Sequence, residues 1–145
     1  MIKDLVALAK TEDLPMSKRR EQMLRRVRLE LARDPEFPGG SMERGYDFIA
    51  PLDSKGHIDL AAWKEMKDRC RVRRFWAHED EKVGHVVHQR GNVWAFHYDI
   101  HGDPEHNEPG FRFDSHPFVP GEYVSIKEQD NVLRTFRVVS ASELD

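Results

Sequence analysis

The stretch Lys82-Val83-Gly84-His85-Val86-Val87-His88-Gln89-Arg90-Gly91-Asn92-Val93-Trp94-Ala95-Phe96-His97-Tyr98-Asp99-Ile100-His101 decides how this chain folds. Two runs of alternating residues flank Gly91-Asn92, a pair that closes tight β-hairpins. Pairing outward from a two-residue turn sets Gln89 against Trp94, Val87 against Phe96, His85 against Tyr98 and Val83 against Ile100. That face is apolar and aromatic and is expected in the core. The other face then carries Gly84, Val86, His88, Ala95, His97, Asp99 and His101. Alternation has a period of two, so a slip of one residue moves a whole strand's side chains to the opposite face.

Upstream, residues 2–10 read as a short amphipathic helix, and Ser17 as the cap of a second helix running to about Arg33. On a helical wheel Met16, Met23, Leu24, Val27 and Leu31 share one stripe, while Lys18, Arg19, Arg25, Arg26 and Arg33 lie outside it. Asp34-Pro35 ends this helix, because a residue before proline avoids the α region. Residues 35–41 make the best linker. The expected organisation is therefore a helical arm and linker over residues 1–41, then an antiparallel β domain over 42–145. Within the latter, residues 46–52 form a strand, Asp59 caps a helix over 59–69, and residues 71–76 return as a strand. Residues 102–110 form a polar loop and 111–119 a Phe-rich strand, and Pro120-Gly121 turns the chain. A three-residue loop over 130–132 pairs Glu128 with Arg134, Ile126 with Phe136 and Val124 with Val138. The fold class is α+β: an N-terminal helical arm followed by a strongly bent antiparallel sheet or small open β-barrel with one packed helix.

Composition narrows the function classes. The chain has 145 residues, a formal net charge of −3 and one cysteine. One cysteine cannot make an internal disulfide, and no apolar run is long enough to span a membrane. Met1-Ile2-Lys3-Asp4 lacks the pattern of a signal peptide, so a cytoplasmic setting is expected. Residues 1–74 hold 17 Lys/Arg against 13 Asp/Glu, and residues 75–145 hold 6 against 13. A basic half and an acidic half can meet within one chain or between two copies, and the second option predicts self-association.

Four groups of residues carry candidate chemistry. His88, His97, Asp99 and His101 share the solvent face of the deduced hairpin, and nitrogen and carboxylate ligands of this kind suit Zn²⁺, Fe²⁺ or Mn²⁺. Gly84, opposite Asp99, would leave open space beside such an ion. The bland alternative is a solvated strand face with several histidines on it. Lys18, Arg19, Arg25, Arg26 and Arg33 would give the basic helix a surface for nucleic acid or a partner protein, or would simply be solvated. Cys70 falls on the stripe of Trp63 and Met66 and reads as a buried structural thiol. The aromatic residues alternate onto the core face, apart from Trp76 and Phe111 at strand ends, which could serve as exposed stacking platforms. No phosphate-binding glycine motif, nucleophile elbow or paired-cysteine zinc motif is present, and no catalytic residue emerges.

Tyr46-Asp47-Phe48-Ile49-Ala50-Pro51-Leu52-Asp53 and Pro120-Gly121-Glu122-Tyr123-Val124-Ser125-Ile126 resemble small alphaproteobacterial proteins of unassigned function. The resemblance implies a bacterial, cytoplasmic setting and no activity. The leading expectation is a binding or protein-interaction module that self-associates. The alternatives are a metal-dependent or acid–base enzyme using His88, His97 and Asp99, and a nucleic-acid binder using residues 18–33.

Overall fold

A computed structural model describes residues 15–100, 107–111 and 113–144. Eight antiparallel strands close into a barrel, each paired with its sequence neighbours and the last with the first. The strands are β1 Leu24–Leu31, β2 Ser41–Pro51, β3 Arg71–Trp76, β4 Lys82–Gln89, β5 Val93–Tyr98, β6 Glu108–Phe111, β7 Tyr123–Lys127 and β8 Leu133–Glu143. Two short helices, α1 Met16–Glu21 and α2 Leu60–Met66, accompany them, and a 3₁₀ turn follows α2 over Lys67–Arg69. Closure removes the free sheet edges through which other chains would add strands. No helix among the described residues is long and apolar enough to cross a membrane.

The α+β expectation is overturned, because the predicted helix over 18–33 stops at Glu21, as the short α1, and does not continue. Residues 24–31 instead form β1, which closes the barrel by pairing with β2 on one side and β8 on the other. Val27, Leu29 and Leu31 are buried while Arg28 and Glu30 point outward, a period of two that fits a strand. The helical stripe misled because Val27 and Leu31, four residues apart, satisfy both periods. Residues 35–41 connect two strands of one barrel rather than an arm to a domain. The reading of residues 2–10 as a helix lies outside the described residues.

An eight-stranded barrel is just wide enough for its own side chains. Tyr46 and Phe48 of β2, Phe96 of β5 and Phe136 of β8 pack ring to ring across the interior, with centroids 5.0 to 5.3 Å apart. One end is sealed by α2. Its N-terminus is capped by Asp59, whose carboxylate accepts from the Ala62 N–H at 2.8 Å, as the sequence predicts. Trp63 then reaches in, donates its indole N–H to the Val86 carbonyl at 2.9 Å and packs edge-on against Trp94. Phe113 and Phe118 complete this apolar seal. Cys70 is buried beside it, and burial pushes its thiol up to about 12, so it behaves as a small apolar side chain. The other end is charged.

The β4–β5 hairpin differs from its expected register by one residue. Its loop has three residues, Arg90 to Asn92, with Gly91 and Asn92 both at positive φ. Gln89 therefore faces Val93, His88 faces Trp94 and Val86 faces Phe96. Trp94, Phe96 and Tyr98 are buried as expected, but Ile100 is 81% exposed. On β4 the faces are reversed: Gly84 and Val86 point inward, and Val83 and His85 do not. In the last hairpin the ladder ends at Lys127 and Leu133, two residues from the expected pairing. A shift of two keeps every face, so Val124, Ile126, Phe136 and Val138 are all buried as expected. Asn131 takes the left-handed conformation, with φ 68.

Candidate functional site

The register shift takes the predicted histidine site apart. His88 lies on the inner face of β4, its ring 4.5 Å from that of Trp94 and its Nε2 2.7 Å from the Asn92 carboxamide oxygen. His97 lies on the outer face of β5, with Nδ1 2.6 Å from Asn107 Oδ1. The two imidazoles are on opposite sides of the sheet and cannot share an ion. Asp99 pairs instead with His85, at 3.3 Å, and with the Arg71 guanidinium, at 3.4 Å. Arg71 also lies 3.4 Å from the other nitrogen of His85. The Arg71 guanidinium thus sits beside both the imidazole and the carboxylate, a positive charge where a metal ion would have to bind. Among the described residues no three metal-ligating side chains converge. His101 lies outside the described residues. Gly84 provides no open space: a β-carbon there would lie 1.9 Å from the His97 carbonyl oxygen, so it marks close strand contact.

The five basic candidates are not one surface. Lys18 and Arg19 sit on α1, where Lys18 pairs with Glu21 at 3.4 Å. Arg25 donates to the Gln22 carbonyl at 2.6 Å, and Arg26 is exposed on the outer face of β1. Arg33 follows the opposite end of β1, some eight strand residues, or roughly 25 Å, away. Trp76 is buried rather than an exposed platform. It lies under the guanidinium groups of Arg74, Arg134 and Arg44, at 4.3, 5.6 and 5.9 Å from its ring centre. The Phe111 side chain lies outside what the structure describes.

The chemistry that sequence reading missed is at the charged end of the barrel. Glu128, buried, accepts from Arg134 at 2.8 Å, from Arg74 Nε at 3.1 Å and from the Tyr46 hydroxyl at 2.6 Å. Glu108, 1% exposed, accepts from the Tyr98 hydroxyl and, at 3.1 Å, from the Gln129 N–H. Its Oε1 also lies 3.0 Å from the Tyr46 hydroxyl. Burial, reinforced by the nearby Glu128 charge, raises the Glu108 carboxyl above the usual glutamate range, against the lowering pull of Tyr98, Arg74 and Tyr46. Burial likewise raises both phenols well above the tyrosine range. A proton count gives the same picture. Tyr46 has one hydroxyl hydrogen and two carboxyl oxygens within reach, so a proton held on Glu108 would satisfy the second contact by donating to the phenol oxygen. Phe37 covers this end, edge-on to Trp76 at 6.3 Å, and Glu36 pairs with Arg134 at 3.0 Å. The cluster is a packed, hydrogen-bonded closure of the barrel.

A concave surface lies on the flank, where the end of β1 and the start of β2 meet the outer faces of β7 and β8. It is an open groove of about 830 Å³ that includes Arg33, Met42, Tyr123 and Arg137. Of the candidate site residues read from sequence, only Arg33 contributes to it. Arg137 and Tyr123 are cross-strand partners, a pairing that the expected register of the last hairpin did not contain. No protein-family model matches the chain, and no curated protein or solved structure matches it.

Proposed function

We propose that this chain is a non-enzymatic protein-interaction module of the cytoplasm that works through the outer surface of its barrel and associates with a second copy of itself. The observation that carries the reading is the filled interior. Aromatic rings occupy the middle, α2 seals one end and the Glu108–Glu128–Arg74–Arg134 cluster closes the other. Ligand-binding barrels keep a cavity at the mouth or centre; here the side chains occupy that space. Binding then belongs to the outside. Met42 of β2, Tyr123 of β7, Leu133 of β8 and Val132 just before it are large apolar side chains left exposed.

Part of the uneven charge of the two halves is paired within one chain. Arg73 pairs with Glu81, Arg74 with Glu128, and Arg71 with Asp99. Apolar contact, rather than opposed fields, is therefore the support for self-association. Sedimentation velocity of the full chain over a range of concentrations tests it. The expected result is a mass that rises with concentration, and a Val132→Ser/Leu133→Ser double variant that stays monomeric. A monomer mass at every concentration removes self-association.

A further inference from the structure

The groove on the flank owes its shape to an irregularity in the β1–β2 ladder. Leu31 pairs with Ser41 while Glu30 pairs with Gly45, so residues 42–44 bulge out of register. The bulged wall is held in place by its own hydrogen bonds. Ser41 Oγ accepts from the Glu43 N–H at 3.2 Å and from Arg44 at 3.1 Å, and the Met42 carbonyl accepts from Arg28 at 3.3 Å. Gly40, at φ +73, lets the wall approach β1; a β-carbon there would lie 2.6 Å from the Leu31 carbonyl oxygen. The concavity is thus preformed, which limits the ordering entropy lost on binding.

Its chemistry is specific. Arg33 and Arg137 line the groove and are exposed, and neither side chain has a hydrogen-bond or ion-pair partner among the described residues. Glu30, the carboxylate among the lining residues, is occupied by Arg28 at 2.9 Å. Met42 is 75% and Tyr123 54% exposed, so two uncommitted guanidinium groups sit beside two apolar surfaces. Arginine, tyrosine and methionine are the residues enriched where proteins bind one another. The two guanidinium groups sit beside apolar surface and Glu30, rather than in a continuous basic track, so single-stranded nucleic acid fits the groove poorly. A localised negative charge flanked by apolar groups fits it better.

Resting on the interaction-module reading, we infer that this groove binds an acidic peptide segment of a partner protein. An Asp or Glu carboxylate would be held by Arg33 and Arg137, and apolar neighbours would lie against Tyr123 and Met42. Guanidinium groups suit this role because their donors match a carboxylate two at a time.

Selection of random linear peptides displayed on phage against the full chain tests the inference, followed by calorimetry with a synthetic peptide from the enriched pool. The expected result is enrichment of an Asp or Glu flanked by Leu, Val or Phe. Arg33→Ala and Arg137→Ala should each weaken the peptide by about tenfold or more, and added salt should weaken it further. Both side chains are exposed, so both variants should melt as the wild type does. Enrichment without an acidic residue, affinity untouched by either arginine variant, or tighter binding of an oligothymidylate through the same arginines would overturn the proposal. Peptide binding that survives both variants would sink the groove but leave the interaction module standing. Self-association is read separately by sedimentation, and these variants should not change it.

Discussion

Among single residues, Glu108 places the sharpest demand on the structure. It is buried between two phenols and faces a second carboxylate that already has two guanidinium partners. Burial raises its carboxyl in the folded state above its ordinary value of 4.5. The unfolded chain releases that proton first as pH rises, so between 4.5 and the folded value the native state binds more protons than the unfolded one. Stability from this group is then complete below 4.5 and declines as pH rises through the window. A Glu108→Gln variant keeps the shape and cannot ionise. The wild type should lose stability relative to Glu108→Gln as pH rises from about 4.5 to 8, as read from urea melts at several pH values. A difference independent of pH would show that Glu108 titrates normally, and one that moves in favour of the wild type would show its carboxyl lowered; either would contradict the raised value. Sequence reading did detect the attraction between Glu128 and Arg134. Glu108 itself was hidden because Asn107-Glu108-Pro109-Gly110 has the composition of a loop. β6 is only four residues long, and its neighbours rather than its own propensity make it a strand.

Among elements, the β4–β5 hairpin shows how far alternation can be trusted. The face of β5 was legible because Trp94, Phe96 and Tyr98 are too large and apolar to lie in water. The face of β4 was not, because Val83, Val87 and Val86 are similar enough to serve on either side. Turn length alone then decided the register, and Arg90 joined the loop. One residue of slip carried His88 inward and His85 outward, and with them the predicted metal site. Gly84 pins the register actually adopted. A β-carbon there would fall 1.9 Å from the His97 carbonyl oxygen and 2.7 Å from the Tyr98 Cα, both backbone atoms that cannot swing away. Gly84→Ala should therefore part the two strands and destabilise the protein by about 1–3 kcal/mol or more, the range for overpacking a filled core. The urea midpoint reports this, and an unchanged midpoint would mean that the strands do not approach as described. Elsewhere local signals were enough: the Asp59 cap and the alternation of 71–76 each specify their element without tertiary information.

For the molecule as a whole, closure is the property that the sequence concealed. A strand that seals a barrel must pair on both edges, and nothing local announces the second partner. Residues 24–31 combine helix-tolerant Leu and Arg with an alternation only five residues long, so their state is set by β2 and β8 rather than by propensity. Closure also decides where function can lie. It leaves the interior filled and the sheet edges paired, so the proposed interaction role is confined to the outer surface, where the flank groove and the exposed apolar side chains lie. The most direct test of the barrel is a set of cross-strand nuclear Overhauser effects from β1 in the full chain. The structure predicts contacts across the Leu29–Val138 and Leu31–Phe136 pairs, together with contacts across Leu29–Tyr46 and Val27–Phe48. Helical contacts between residues three apart over 24–31, or contacts to β2 without contacts to β8, would contradict a closed barrel.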